Sequence, residues 1–309
     1  MQDSVYKPGL HRFAKLLALC TLFLVIAGGL VTSNDAGLSV PDWPLSYGKL
    51  MPKMEGGIFY EHGHRMIATL VGFLTVVLAI WIWRADRRPW MKRLGLVAVL
   101  AVIAQGVLGG MTVIYLLPKS VSVSHACLAQ LFFSLTVALA LFTSESWKRG
   151  MAQVEDRGWP SVRMLALAAP ICVVGQLALG AAARHKAIGA IYHIGGSAIV
   201  TGVILWLVTT LLVRYSDHLE MRRSALVLLV LTFAQLFLGI AAYMSRLATA
   251  DAAQPMPVMI AFTVLHVAVG ALLLARSVVT AIHVFNAVRV RAGKPARAGY
   301  AAVSMNREA

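Results

Sequence analysis

The chain is 309 residues long, 59% hydrophobic and only 13% charged, which is more apolar surface than a soluble core of that length can hide. The surplus must face lipid. The net charge of +15 raises a nucleic-acid reading, but its placement in alternate connections makes it a topology signal and excludes nucleic acid as a partner.

A span takes roughly 20 mainly apolar residues, and eight runs qualify, at about 13–33, 62–83, 94–117, 121–143, 162–183, 188–213, 224–245 and 257–283. The expected fold is an all-α integral membrane protein with eight transmembrane helices. The first run is too long for a signal-peptide core and has no convincing cleavage site after it, so it is expected to be retained as a helix. Basic residues gather before it (Lys7, Arg12, Lys15) and in the second connection (Arg84, Arg87, Arg88, Lys92, Arg93). They recur in the fourth (Lys148, Arg149, Arg157), the sixth (Arg214, Arg222, Arg223) and the tail (Arg289, Arg291, Lys294, Arg297, Arg307). That bias places both termini in the cytoplasm of a cell in whose inner membrane the protein sits. Cys20, Cys127 and Cys172 all fall within spans without CxxC or CxxCH spacing, which excludes covalent haem attachment and a disulfide framework.

The first outer connection, AGLSVPDWPLSYGKLMPKMEGG, is long, and Pro41, Pro44 and Pro52 forbid a continuous helix through it. Asp35, Asp42 and Trp43 suggest an ordered cap at the headgroup level. The chain also repeats itself. Gln105 and Gly109 in the third span recur as Gln176 and Gly180 in the fifth and as Gln235 and Gly239 in the seventh. In the first span Gly28 and Gly29 stand at the matching place, without the glutamine. Each odd helix is followed by an even one with a histidine in its first turns: His64, His125, His193 and His266. Two pseudo-symmetric four-helix bundles, 1–150 and 151–309, follow from this repeat, joined by a polar loop around Glu145 to Arg163.

Ionisable groups inside a membrane are costly and mark function. Neutral imidazole is a good ligand for haem iron, and helix bundles build cofactor sites from facing side chains. Pairing within each half gives His64 with His125 and His193 with His266, hence two haem sites. Zinc or copper suits the spread less well, since a compact site wants carboxylate or thiol ligands converging at short range. His11, His218 and His283 lie at cytoplasmic ends and are expected to be solvated. His62 points away from His64, and His185, beside Arg184 and Lys186, is a candidate propionate contact. Arg65, Lys119, Arg184, Lys186 and Arg246 lie near the outer boundary, where anionic propionates would project.

Glu61 stands one helical turn before His64 and shares its face. A carboxylate there is a candidate proton acceptor or charge stabiliser. The position three before His193 is Ala190, so the first half is expected to be reactive and the second an electron carrier.

The stretch GGLVTSNDAGLSVPDWP, then EHGHR, then a histidine opening each even helix, resembles the haem A synthase family over essentially all eight spans. That resemblance implies oxidation of the C8 methyl of haem O to a formyl group through a hydroxylated intermediate, giving haem A for the assembly of terminal oxidases. It implies Glu61 as the catalytic acid, His64 with His125 as the substrate-haem site, and His193 with His266 as ligands of a resident haem b. Some members carry a cysteine pair in the first outer loop; this chain has none there. Haem O and membrane lipid are then partners, with an electron donor that the sequence does not name. A complex with a haem O synthase fits pathway logic, and the sequence leaves a homo-oligomer open. The residues alone also fit a di-haem b cytochrome passing electrons from quinol, or a haem transporter or chaperone. The cytochrome has no need for Glu61 one turn from His64, and the transporter or chaperone predicts loosely held haem at both sites with no redox dependence.

Overall fold

The computed structural model describes residues 6–156 and 158–289; Arg157, Arg291, Lys294, Arg297 and Arg307 lie outside the described residues. Within them, eight helices are long and apolar enough to cross a membrane. In chain order these are α1 (Pro8–Ser33), α2 (Gly57–Ala85), α3 (Pro89–Ile114) and α4 (Lys119–Thr143). After the short α5 (Glu145–Arg149) and β1 (Val154–Glu155) come α6 (Val162–Arg184), α7 (Ala190–Arg214), α8 (Leu219–Ala248) and α9 (Pro257–Ala287), then β2 (Val288–Arg289). The expected spans hold, but several helices run further at the basic end. Pro8 and Pro89 open α1 and α3, where a missing N–H costs nothing.

Each half closes as a ring of four: α1 on α2, α2 on α3, α3 on α4 and α4 on α1, matched by α6, α7, α8 and α9. Each half has its own core, around Leu17, Leu78, Ile82 and Leu139 in the first and around Ile204, Leu207, Leu228 and Leu274 in the second. The two rings meet where α9 packs on α1 and α4, with Val25, Phe133, Ala271 and Ala275 buried between them. Phe23, Phe73, Leu100, Phe237 and Val213 point outward and are exposed, as expected of faces that meet acyl chains rather than water.

Two features of the basic end differ from expectation. The connection between the halves is ordered by a two-residue parallel ladder, β1 with β2, which pairs it to the end of α9. Asp156 adds to this, accepting from the Tyr215 hydroxyl at 3.1 Å and from Ser161. His283, expected to be solvated, is instead only 7% exposed, its Nδ1 3.4 Å from the Ser224 hydroxyl that Arg276 also contacts. His11 is half-buried with its ring 3.1 Å from the Ala140 carbonyl. The reason is packing: neighbouring helices extend as far as these residues and enclose them.

Leu139 is fully buried in the first core and Leu100 is 57% exposed on the same half. Leu139→Ala is expected to cost about 2–5 kcal/mol through the cavity it leaves and to lower the unfolding temperature in detergent. Leu100→Ala is expected to stay within about 0.5 kcal/mol of wild type.

Candidate haem-binding and active site

The four histidines occupy one structural register. Each meets the preceding helix at a glycine. A Cβ added at Gly28 would lie 3.1 Å from the His64 ring, and one at Gly109 would lie 3.2 Å from His125. In the second half the values are 2.8 Å for Gly180 against His193 and 2.9 Å for Gly239 against His266. Any larger side chain would push the imidazole away, so the glycine of each Gln-x3-Gly repeat makes room for a ring.

The residue four before each glycine presents its backbone to the same histidine. His193 Nδ1 is 3.2 Å from the Gln176 carbonyl and His266 Nδ1 is 3.2 Å from that of Gln235. A carbonyl only accepts, so in His266 Nδ1 carries the hydrogen. The lone pair then falls to Nε2, which lies 3.2 Å from the Gln235 side-chain amide. The Gln105 and Gln176 amides donate instead to the carbonyls of His125 and His193, at 3.0 and 2.7 Å. Leu24, the residue in this place on α1, faces His64 with its carbonyl. This is the arrangement in which a backbone acceptor orients an imidazole and frees its other nitrogen for a metal.

The expected pairs come together. The His193 and His266 ring centres are 6.1 Å apart with perpendicular planes. Two metal–imidazole bonds of roughly 2 Å each, with the half-width of each ring added, span about 6 Å, so the spacing suits one iron between two rings. His64 and His125 lie within electrostatic reach of each other, and their Nδ1 atoms are buried without a hydrogen-bond partner. Among the described residues no group of three or more His, Cys, Asp or Glu side chains converges as a bare-ion site would require. The donor set and the glycine cradles fit haem at both pairs.

Above the first pair the long connection is fastened by three residues of one helical turn. Glu61, 4% exposed, accepts from the Val40 amide at Oε2 (2.8 Å) and from Arg65 at Oε1 (2.7 Å). Arg65 also donates to the carbonyls of Asp42 (2.8 Å), Leu45 (2.9 Å) and Val40 (3.4 Å). His62, turned away from the His64 face as the spacing requires, has Nδ1 2.8 Å from the Ser46 hydroxyl. Trp43 lies against Gly110, beside the glycine that cradles His125. The ordered cap expected around Asp42 and Trp43 is held mostly through backbone groups, which carry no signature in the sequence.

The boundary cations divide. Arg184 is inserted between the halves, bonding the Ser33 hydroxyl at 2.7 Å, while Lys119, Lys186 and Arg246 are exposed. Burial pushes the His185 imidazole below its usual range, with the Arg184 charge adding to the effect. In the loop the Gly48 amide, joined by that of Tyr47 and by the Arg65 charge, holds the Asp42 carboxyl below the usual carboxylate range.

A family model described as "Cytochrome oxidase assembly protein" (COX15-CtaA) matches residues 11–200, more than half of the chain. The chain belongs to that family. Its relatives include proteins named Heme A synthase from Shouchella clausii, 31% identical over 44% of this chain and 46% of the relative, and from Symbiobacterium thermophilum, 34% identical over 40% and 42%. A third, from Geobacillus kaustophilus, is 29% identical over 44% of each. The chain thus spans about half the length of the curated relatives it matches. The family match takes in Glu61, His64, His125 and His193 and stops before His266, whose place in the site rests on the 6.1 Å ring spacing.

Two outcomes follow from this geometry. Gly180→Ala is expected to displace the His193 ring and reduce haem retained per protein, read from the pyridine haemochrome. Gly175→Ala, with nothing within 4 Å of the added carbon, is expected to leave it unchanged. For the loop, the Asp42 carboxyl titrates lower folded than free, so its contribution is whole above the free value of roughly 3.9. It disappears as pH falls through the lower folded value. Trp43 fluorescence is expected to report loop release in that acid range, and Asp42→Ala is expected to show the released signal at neutral pH.

Proposed function

We propose that the protein is a haem A synthase, oxidising the C8 methyl of haem O to a formyl group through a hydroxylated intermediate. The observation that carries the reading is Glu61: buried, one turn before His64, and held by the Val40 amide and Arg65. The corresponding residue in the otherwise repeated second half, Ala190, is exposed and bears no acid. A plain di-haem cytochrome or a haem carrier has no use for a fixed carboxylate at one site alone. The family and the names of its relatives support the same assignment.

In this reading His64 and His125 bind haem O as substrate, and His193 and His266 hold a resident haem b. That haem, when bound, supplies one-electron storage. The remaining work belongs to the chain. The Val40 amide and Arg65 hold the Glu61 carboxyl group in a fixed direction, so that Oε1 or Oε2 can take a proton from the carbon being oxidised or offset positive charge beside it. The loop and Trp43 cover the site and exclude water, which strengthens those interactions. Lys119 and Arg246 stand free at the boundary to meet propionates, and Arg65 and Arg184 add charge there. By the positive-inside rule the loop end faces away from the cytoplasm and both termini lie within it. A haem O synthase, whose product this site would consume, is the partner the chemistry suggests.

The test is to express the chain with a haem O synthase, extract the bound haems, and identify them by chromatography and mass, beside Glu61→Ala. Haem A or its hydroxylated precursor is expected in wild type, with haem O accumulating in the variant. Haem b alone in both samples, with haem O available, would refute the synthase and leave an electron-transfer cytochrome.

A further inference from the structure

The outer end of α6 reaches across the boundary between the halves. Arg184 Nη2 donates to the Gly29 carbonyl at 3.2 Å and to the Ser33 hydroxyl at 2.7 Å, both on α1. Gly29 follows Gly28, and the two face opposite ways. Gly28 cradles His64, whereas a Cβ on Gly29 would meet Val264 of α9 at 3.6 Å, ordinary contact two residues before His266. This glycine pair is therefore a seam, with one histidine pair on each side. The Arg184 charge lies within electrostatic reach of His266, and the next residue, His185, lies within reach of His125. Asp35 is the carboxylate that faces Arg184.

We propose that Arg184 is a positioning residue shared by the two histidine pairs: it fastens the second half to the Gly28–Gly29 seam, and its fixed positive charge raises the reduction potential of the haem held by His193 and His266. The inference rests on the haem-binding reading above. Guanidinium stays charged at any working pH, and in a low-dielectric setting a nearby cation disfavours the more positive, ferric state of an iron.

The experiment uses full-length protein with haem bound, in a His64→Ala, His125→Ala background that leaves the second pair to hold it. Spectroelectrochemical titration gives the midpoint potential, and thermal unfolding is followed alongside. Arg184→Gln is expected to keep the low-spin bis-imidazole spectrum, lower the potential and lower the unfolding temperature, while Arg184→Lys restores most of the potential. Ser33→Ala is expected to lower the unfolding temperature and leave the potential where it was. A potential unmoved by Arg184→Gln, or not restored by lysine, overturns the proposal. Should Arg184→Gln lose its haem, Asp35→Asn decides, because removing the facing carboxylate is expected to raise the potential and no change would overturn the proposal. A wild type that binds no haem at any pair sinks the functional reading itself, which separates the two failures.

Discussion

An imidazole can be offered to a large planar ligand inside an apolar bundle only if the neighbouring helix leaves room for it and supplies an acceptor for its second nitrogen. Here one short repeat provides both. A glycine removes the side chain that would collide with the ring, at Gly28, Gly109, Gly180 and Gly239. In the second half the residue one turn earlier also turns its carbonyl toward Nδ1 of His193 and His266. Because each glycine contact joins a helix to the one that follows it, ring placement and helix pairing are fixed together. The two four-helix rings, their spacing and the depth of the histidines all depend on it.

Upon that symmetric base the first half adds an asymmetric device. The turn bearing Glu61, His62 and Arg65 grips the loop from Val40 to Ser46 at five groups, the Val40 amide and carbonyl, the Asp42 and Leu45 carbonyls and the Ser46 hydroxyl, so the acid and its cover form one unit. The carboxylate is not a free base hanging into a cavity. Its partners are the Val40 amide and the Arg65 guanidinium, and any movement of the loop changes what Glu61 can do. Among the described residues nothing comparable stands above the second pair, where Ala190 begins α7.

Much of this was legible in the sequence, for definite reasons. Eight long apolar runs have no other stable use, and histidines spaced in register on alternate helices are hard to place by accident. What could not be read were the partners. Arg65 was visible as a boundary cation, but the carbonyls of Asp42 and Leu45 that it holds have no sequence signature. The Gln-x3-Gly repeat was visible as a repeat, yet its meaning as a ring cradle needed the geometry. His283 and His11 lie near helix ends along the chain, and that says nothing about how far the neighbouring helices extend. The pairing of β1 with β2 joins residues more than a hundred positions apart through backbone alone.

The position of α9 bears on how the protein is made. Of the described helices it is the last to leave the ribosome, yet it packs on α1 and α4 as well as on α6 and α8. The first ring can close on itself during synthesis, but the flank of α1 and α4 around Val25 and Phe133 stays against lipid until α9 has been inserted. His266 arrives with the same helix. Completion of the second histidine pair and sealing of the first half are thus one event in biogenesis, and a chain truncated anywhere before α9 would lack both.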